Sequence, residues 1–264
     1  MPLGRATPID RVRQTVNVIA ALANFALPQI PLIFGVGKEI GQNPGSDANA
    51  VPPGWAFSIW GLIFAWTILF AFWQALPGKG RSSYLRSEGW GTALAMGLAA
   101  LWSVLSMFAP FWTTLPVMAA LYVTLAWLAL SLRSRPESDT EAVRWLAIYP
   151  FQLFFGWITL ALMANLAAVR LEYGINPIGG TEDTYTLIIM AFGGVLALIG
   201  LNLTRGAAAY ALPVAWGVGA LLLQHAWADW NPAPAAGSAT LFLFLLAAER
   251  WVALRTRPRP RFSR

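Results

Sequence analysis

Apolar residues run through this chain in eight blocks, each close to the ~20 residues a helix needs to cross a ~30 Å hydrocarbon layer. The blocks cover residues 16–36, 55–76, 90–109, 112–132, 145–169, 184–203, 207–227 and 238–254. Segments rich in helix breakers separate them: Asn43-Pro44-Gly45, Pro77-Gly78, residues 134–138 and residues 231–237. The link at 108–112 is so short that helices three and four must form a tight antiparallel hairpin. The pattern predicts an all-α, polytopic membrane bundle of about eight transmembrane helices.

The positions of the charges set the orientation. With the N-terminus in the cytoplasm, every one of the 18 lysines and arginines except Lys38 and Arg170 falls on the cytoplasmic side. That is the asymmetry of the positive-inside rule, and a wrong helix count would scramble it. Both termini are therefore expected in the cytoplasm and the loop at 37–54 outside. The bacterial plasma membrane suits a multi-pass chain of this kind, or an organelle membrane if the source is eukaryotic. Arg11 and Arg13 precede the first block as they would in a secretory signal, but the block is too long and no cleavage site follows it. The arginine-rich tail after Leu254 reads as a stop signal that also favours anionic headgroups.

Composition sharpens this picture. Only 11% of residues are charged, against about 25% in soluble domains, too few to cover a water-facing surface. The net charge of +6 does not indicate nucleic-acid binding, because the basic residues sit in short caps between apolar runs. The chain has no cysteine, which excludes disulfides and thiolate-ligated metals. Its 14 tryptophans suit membrane interfaces and flat apolar ligands alike.

Candidate chemistry is sparse. No Asp, Glu, Lys or Arg is expected deep within a helix, which argues against proton relays and ion-coupled pumps. His225 precedes Asp229 by four residues, so one helical face presents both. Such a pair suits a metal, haem or pigment ligand, or an interfacial pair beside Trp227 and Trp230. Polar residues within the blocks are Asn17, Asn24, Gln29, Gln152, Thr159, Asn165, Asn202 and Gln224. Amides in lipid usually bond neighbouring helices. In the fifth block Trp157, Ala161 and Asn165 recur every four residues and share one face. A flat ring, a gap and an amide there would grip a planar apolar molecule, and would equally serve as a packing seam. Pro52-Pro53-Gly54-Trp55-Ala56-Phe57, with Trp60 following, stiffens the entry to helix two and lines its top with aromatics. It suits the cap of a cavity, or an interfacial anchor.

The same residues resemble the TspO/MBR family, the tryptophan-rich sensory proteins that include the mitochondrial translocator protein. Family members open the second helix with a Pro-Pro-Gly-Trp-x-Phe segment, answered here by Pro52 to Phe57. Their third helix carries Asn-x-x-Trp-Ser, answered by Ala99 to Ser103 with Ala99 in place of the Asn. The fourth ends near an Ala-Trp, here Ala126-Trp127, and the fifth carries Pro, Trp, Ala and Asn, here Pro150, Trp157, Ala161 and Asn165. The resemblance covers residues 17–165; the last three helices have no counterpart in five-helix members. It divides the chain into a five-helix bundle at 1–170 and a three-helix extension at 171–264.

The resemblance implies a pocket enclosed by five helices under the first loop. Trp55, Phe57, Trp60, Trp102, Trp127, Trp157, Ala161 and Asn165 are its candidate ligand-binding residues. It implies a tetrapyrrole such as a porphyrin or haem, or another planar hydrophobic molecule, as ligand to be sensed or carried, with no cofactor required. It also implies partners: the bilayer and a second copy or another membrane complex. A competing reading is a structural or assembly subunit of a pigment-bearing complex. Enzymatic breakdown of the ligand is the least supported, for want of buried acids and bases.

Overall fold

Thr7 starts the first helix. Its hydroxyl accepts from the Asp10 N–H while the Asp10 carboxylate accepts from the Thr7 N–H, a capping box that satisfies two free donors at once. Pro8 follows at the first helical position, where its missing N–H costs nothing. The computed structural model describes residues 7–42, 44–79, 83–133 and 140–256. Among them, eight helical segments are long and apolar enough to cross a membrane: α1 (Pro8–Phe34), α2 (Gly54–Ala75), α3 (Ser83–Phe108), α4 (Phe111–Ser131), α5 (Glu141–Glu172), α6 (Glu182–Leu203), α7 (Ala208–Ala228) and α8 (Pro232–Arg255). The described residues contain no strand. Residues 134–138, Asn43, Arg5, Arg81 and the arginine tail beyond Thr256 lie outside them.

Helices outrun the apolar blocks at several ends. α1 begins at Pro8, α3 at Ser83 and α5 at Glu141, because a helix continues through its polar cap where hydropathy has already fallen. The largest correction is at α8. Residues 231–237 read as a breaker, yet the helix begins at Pro232. Pro232 and Pro234 both fall in its first turn, where no intrahelical N–H is needed. The overrun also brings charged residues into the first turns of helices, short of the middle of the spans. Asp10 is buried between Arg13 and Arg86, whose guanidinium groups donate to it at 2.9 and 2.7 Å, and Glu88 is buried near the start of α3. The α3–α4 hairpin is as tight as the sequence implies, with only Ala109 and Pro110 between its helices.

α5 is the axis of the bundle. In its apolar window 78% of the residues are buried, against 17% in α8, so α5 is central and α8 peripheral. α2 and α4 pack on one side of α5, with α1 and α3 completing that arc; α6 and α7 pack on the other side, and α8 closes over both. A helix apolar on every face needs neighbours on every face, and α5 has them. Gly156 lets α7 come close: a Cβ there would collide with the Tyr210 carbonyl oxygen and the Pro213 ring. The Tyr210 hydroxyl shares a 2.9 Å hydrogen bond with Thr159, tying α7 to α5 within the buried layer. The last three helices are therefore packed into the same bundle as the first five.

Candidate functional site

Two prolines shape the end of α1. Pro28 and Pro31 withhold N–H groups, and the helix tightens into a 3-10 turn at Leu27–Gln29 before it resumes. It ends at Gly35, whose φ of +64° lies in the left-handed region. From there loop 1, described at residues 35–42 and 44–53, crosses one end of the bundle. Lys38 N–H bonds the Met107 carbonyl at the end of α3 (3.1 Å). Gly45 lies so close to α5 that a Cβ would strike the Ala168 carbonyl.

Asn49 fastens the far part of this loop. Its N–H donates to Glu182 at 3.4 Å and its side chain to Asp183 at 3.2 Å, both at the start of α6. Asn231 donates to the same Asp183 oxygen, and Arg170 of α5 pairs with Glu182. The third tie comes from α7, whose last turn opens into a π turn at Gln224–Ala228. That turn presents His225 Nε2 to the Asn49 carbonyl at 2.7 Å. A carbonyl only accepts, so Nε2 is the donor in this bond.

Beneath loop 1 lies a cavity of about 1110 Å³. Its aromatic wall is Phe57, Trp60 and Phe64 of α2 with Trp102 of α3; Asn24 of α1 and Gln224 and His225 of α7 add polar groups. Pro52, Pro53 and Gly54 form part of its roof. The rings support one another: Trp60 stacks on Phe64 at 5.3 Å, and Trp157 meets Phe57 edge-on at 5.5 Å and Trp60 at 6.4 Å. Such pairs add about 0.5–1.5 kcal/mol each beyond their buried area.

The eight candidates from the sequence do not share one wall. Phe57, Trp60 and Trp102 line the cavity. Trp157 is 1% exposed and sits one layer behind, bracing Phe57 and Trp60. Asn165 is also buried; its Oδ1 accepts from Trp102 Nε1 at 3.3 Å and its Nδ2 donates to Thr114 Oγ1 at 2.9 Å. Its amide thus joins α5 to α3 and α4 and fixes the Trp102 ring. Ala161 is buried in the α5 core. Trp55 turns away, half-exposed, edge-on to Trp216 of α7 at 5.3 Å, while the Trp216 N–H holds the Ala56 carbonyl at 2.9 Å. Trp127 packs over Gly91 near the start of α3, at the end of the bundle remote from loop 1.

Phe64 was recoverable from the sequence, since Trp60 and Phe64 share a helical face at four-residue spacing. Asn49, Glu182 and Asp183 were not, because nothing in the sequence joins loop 1 to α6 and α7. His225 spends Nε2 on the loop and does not pair with Asp229. Among the described residues, no group of three His, Asp or Glu side chains could hold a metal ion.

Comparison with known proteins adds one finding. No curated protein and no solved structure matches the chain. The model of the family described as TSPO-like protein matches residues 14–249, from α1 to α8 and thus through the three helices beyond the resemblance to the five-helix members. The chain is a multi-pass membrane protein and belongs to the TSPO-like family.

Proposed function

We propose that this protein binds a planar hydrophobic molecule, of the tetrapyrrole class or similar in size and shape, in the cavity beneath loop 1, as a sensor or carrier. The observation that carries the reading is the roofed, 1110 Å³ space walled by Phe57, Trp60, Phe64 and Trp102. Small-molecule pockets of about 300–1,000 Å³ are typically apolar and aromatic with a few polar groups; this space is slightly larger and joins an aromatic wall to a polar rim. Loop 1 gives the space a lid fastened by side chains rather than by lipid. The charge asymmetry of the sequence supports a chain with both termini in the cytoplasm and the lid outside, as in a bacterial plasma membrane.

Etioporphyrin, a porphyrin with alkyl substituents only, tests the reading without any head-group chemistry. Titrated into full-length protein in nanodiscs, it should quench tryptophan fluorescence saturably. Trp60→Ala should weaken binding by about 1.5–3 kcal/mol, the value of a large buried apolar side chain. Trp251→Ala, on the half-exposed face of α8, should leave affinity unchanged. Equal affinity in the Trp60 variant would refute the assignment.

A further inference from the structure

The first turns of α5, at the end of the bundle opposite loop 1, depart from α geometry. Arg144–Ile148 form a π turn, in which the Tyr149 N–H reaches back to the Arg144 carbonyl. In an α-helix that N–H would serve the Trp145 carbonyl, and the next residue, Pro150, has no N–H to offer in its place. The Trp145 carbonyl takes its donor from another helix instead: Trp66 of α2 gives it Nε1–H at 2.8 Å. An indole N–H only donates and a carbonyl only accepts, so the roles in this bond are fixed. The two indoles stack at 6.3 Å, and the Tyr149 ring meets Trp145 edge-on at 5.2 Å. Tyr84 of α3 adds a tie to the Ala147 carbonyl at 3.3 Å.

The helix that supplies this donor also supplies the cavity wall. Phe57, Trp60 and Phe64 of α2 line the space, and Trp66 follows two residues after Phe64. α2 is loosely embedded, with 28% of its apolar window buried against 78% in α5. Resting on the ligand-binding reading above, we propose that α2 and the π turn of α5 form a switch that reports occupancy of the cavity at the far end of the bundle. A planar molecule pressed against Trp60 and Phe64 shifts α2 against α5 and withdraws the Trp66 N–H. The Tyr149 N–H then returns to the Trp145 carbonyl and the turn becomes α-helical. The Trp145 carbonyl has a donor in either register, so the two differ by little enough for a ligand to bias. Removing the extra residue of the π turn rotates the segment before it by about 100° and moves it by about 1.5 Å. That displaces Trp145, 54% exposed, on the side remote from the cavity. A wall and a register joined through one helix suit a sensor rather than a carrier.

The chain has no cysteine, so two introduced ones report the switch directly. E141C/L254C places nitroxide labels on exposed residues of α5 and α8 at the end remote from loop 1. The full-length protein is held in phosphatidylcholine nanodiscs, and the distance between labels is read by pulsed electron resonance. Saturation with etioporphyrin should shift that distance by roughly 5 Å or more, as expected of a side chain carried through 100° around a helix. Trp66→Phe keeps the ring and deletes the donor, and should show the shifted distance without etioporphyrin. By linkage the same variant should bind etioporphyrin roughly 2- to 10-fold more tightly, the scale of one hydrogen bond that no longer has to be broken. Saturable binding to the wild type with no change in distance would overturn the switch and leave the cavity assignment standing. Equal or weaker binding by a Trp66→Phe variant that still melts cooperatively would overturn it as well. Absence of saturable binding by the wild type would overturn the ligand reading, and the switch with it.

Discussion

Asn165→Leu measures what the buried amide of α5 does. In the native protein Asn165 Oδ1 accepts from Trp102 Nε1 at 3.3 Å, Asn165 Nδ2 donates to Thr114 Oγ1 at 2.9 Å, and Thr114 passes its own proton to the Phe111 carbonyl at 2.6 Å. Leucine keeps the volume and removes two interhelical bonds. Such bonds in membrane proteins average about 0.6 kcal/mol, with larger values near 1.7, so a stability loss of roughly 1–2 kcal/mol is expected. For a chain of this size that corresponds to about 2–4 °C per kcal/mol in a thermal melt. Affinity for etioporphyrin should fall too, because the Trp102 ring loses the contact that sets its angle in the wall. The amide acts through Trp102, so the two effects must be linked. Trp102→Phe keeps the ring face and deletes the N–H. In the double-mutant cycle, N165L/W102F should cost less than the sum of the single changes by about 0.6 kcal/mol. Strict additivity in both melt and titration would refute the relay, and a loss of affinity with no loss of stability would mean that Asn165 touches the ligand directly.

His225→Phe removes the α7 tie to the Asn49 carbonyl, a bond worth about 0.5–1.5 kcal/mol; etioporphyrin should dissociate roughly 2- to 10-fold faster, read by stopped-flow fluorescence, and an unchanged rate would show that loop 1 does not gate the cavity. Gly156→Leu drives a side chain into the Tyr210 carbonyl and the Pro213 ring and should cost about 1–3 kcal/mol or more in stability, whereas the same change at Gly97, where a Cβ meets nothing within 4 Å, should be neutral in a melt. A phosphatase reporter, active only outside the cytoplasm, should be silent when fused after Arg264 and active when inserted in loop 1 after Gly41; the opposite pair would reverse the topology.

What the sequence disclosed, and what it withheld, follows from the range of the interactions involved. Helix number and type rest on local hydropathy, and all eight spans are recoverable from it. Helix ends are less so, because capping at Thr7 and first-turn prolines at Pro232 and Pro234 extend helices into polar sequence. The aromatic wall was half legible. Phe57, Trp60 and Trp102 reach the cavity, but a four-residue stripe on α5 cannot say which layer it occupies, and Trp157 and Asn165 prove to brace the wall from behind. A helix enclosed on every side makes each of its faces a packing face, so periodicity alone no longer separates lining from support.

The fastening of loop 1 depends on contacts across more than 130 residues, such as Asn49 with Glu182 and Asp183, and no local pattern encodes them. Those contacts also bear on why the chain continues past its fifth helix. Glu182 and Asp183 start α6, His225 ends α7, and Gln224 and Asp229 belong to the cavity wall. Without α6 to α8, loop 1 would keep its seat on α5 through Gly45 and its tie to Met107, and lose every side-chain bond that holds Asn49. The cavity would keep its aromatic face and lose the Gln224, His225 and Asp229 side chains from its wall. The first five helices thus supply the aromatic wall of the cavity, and the last three fasten the loop above it and add part of its polar lining.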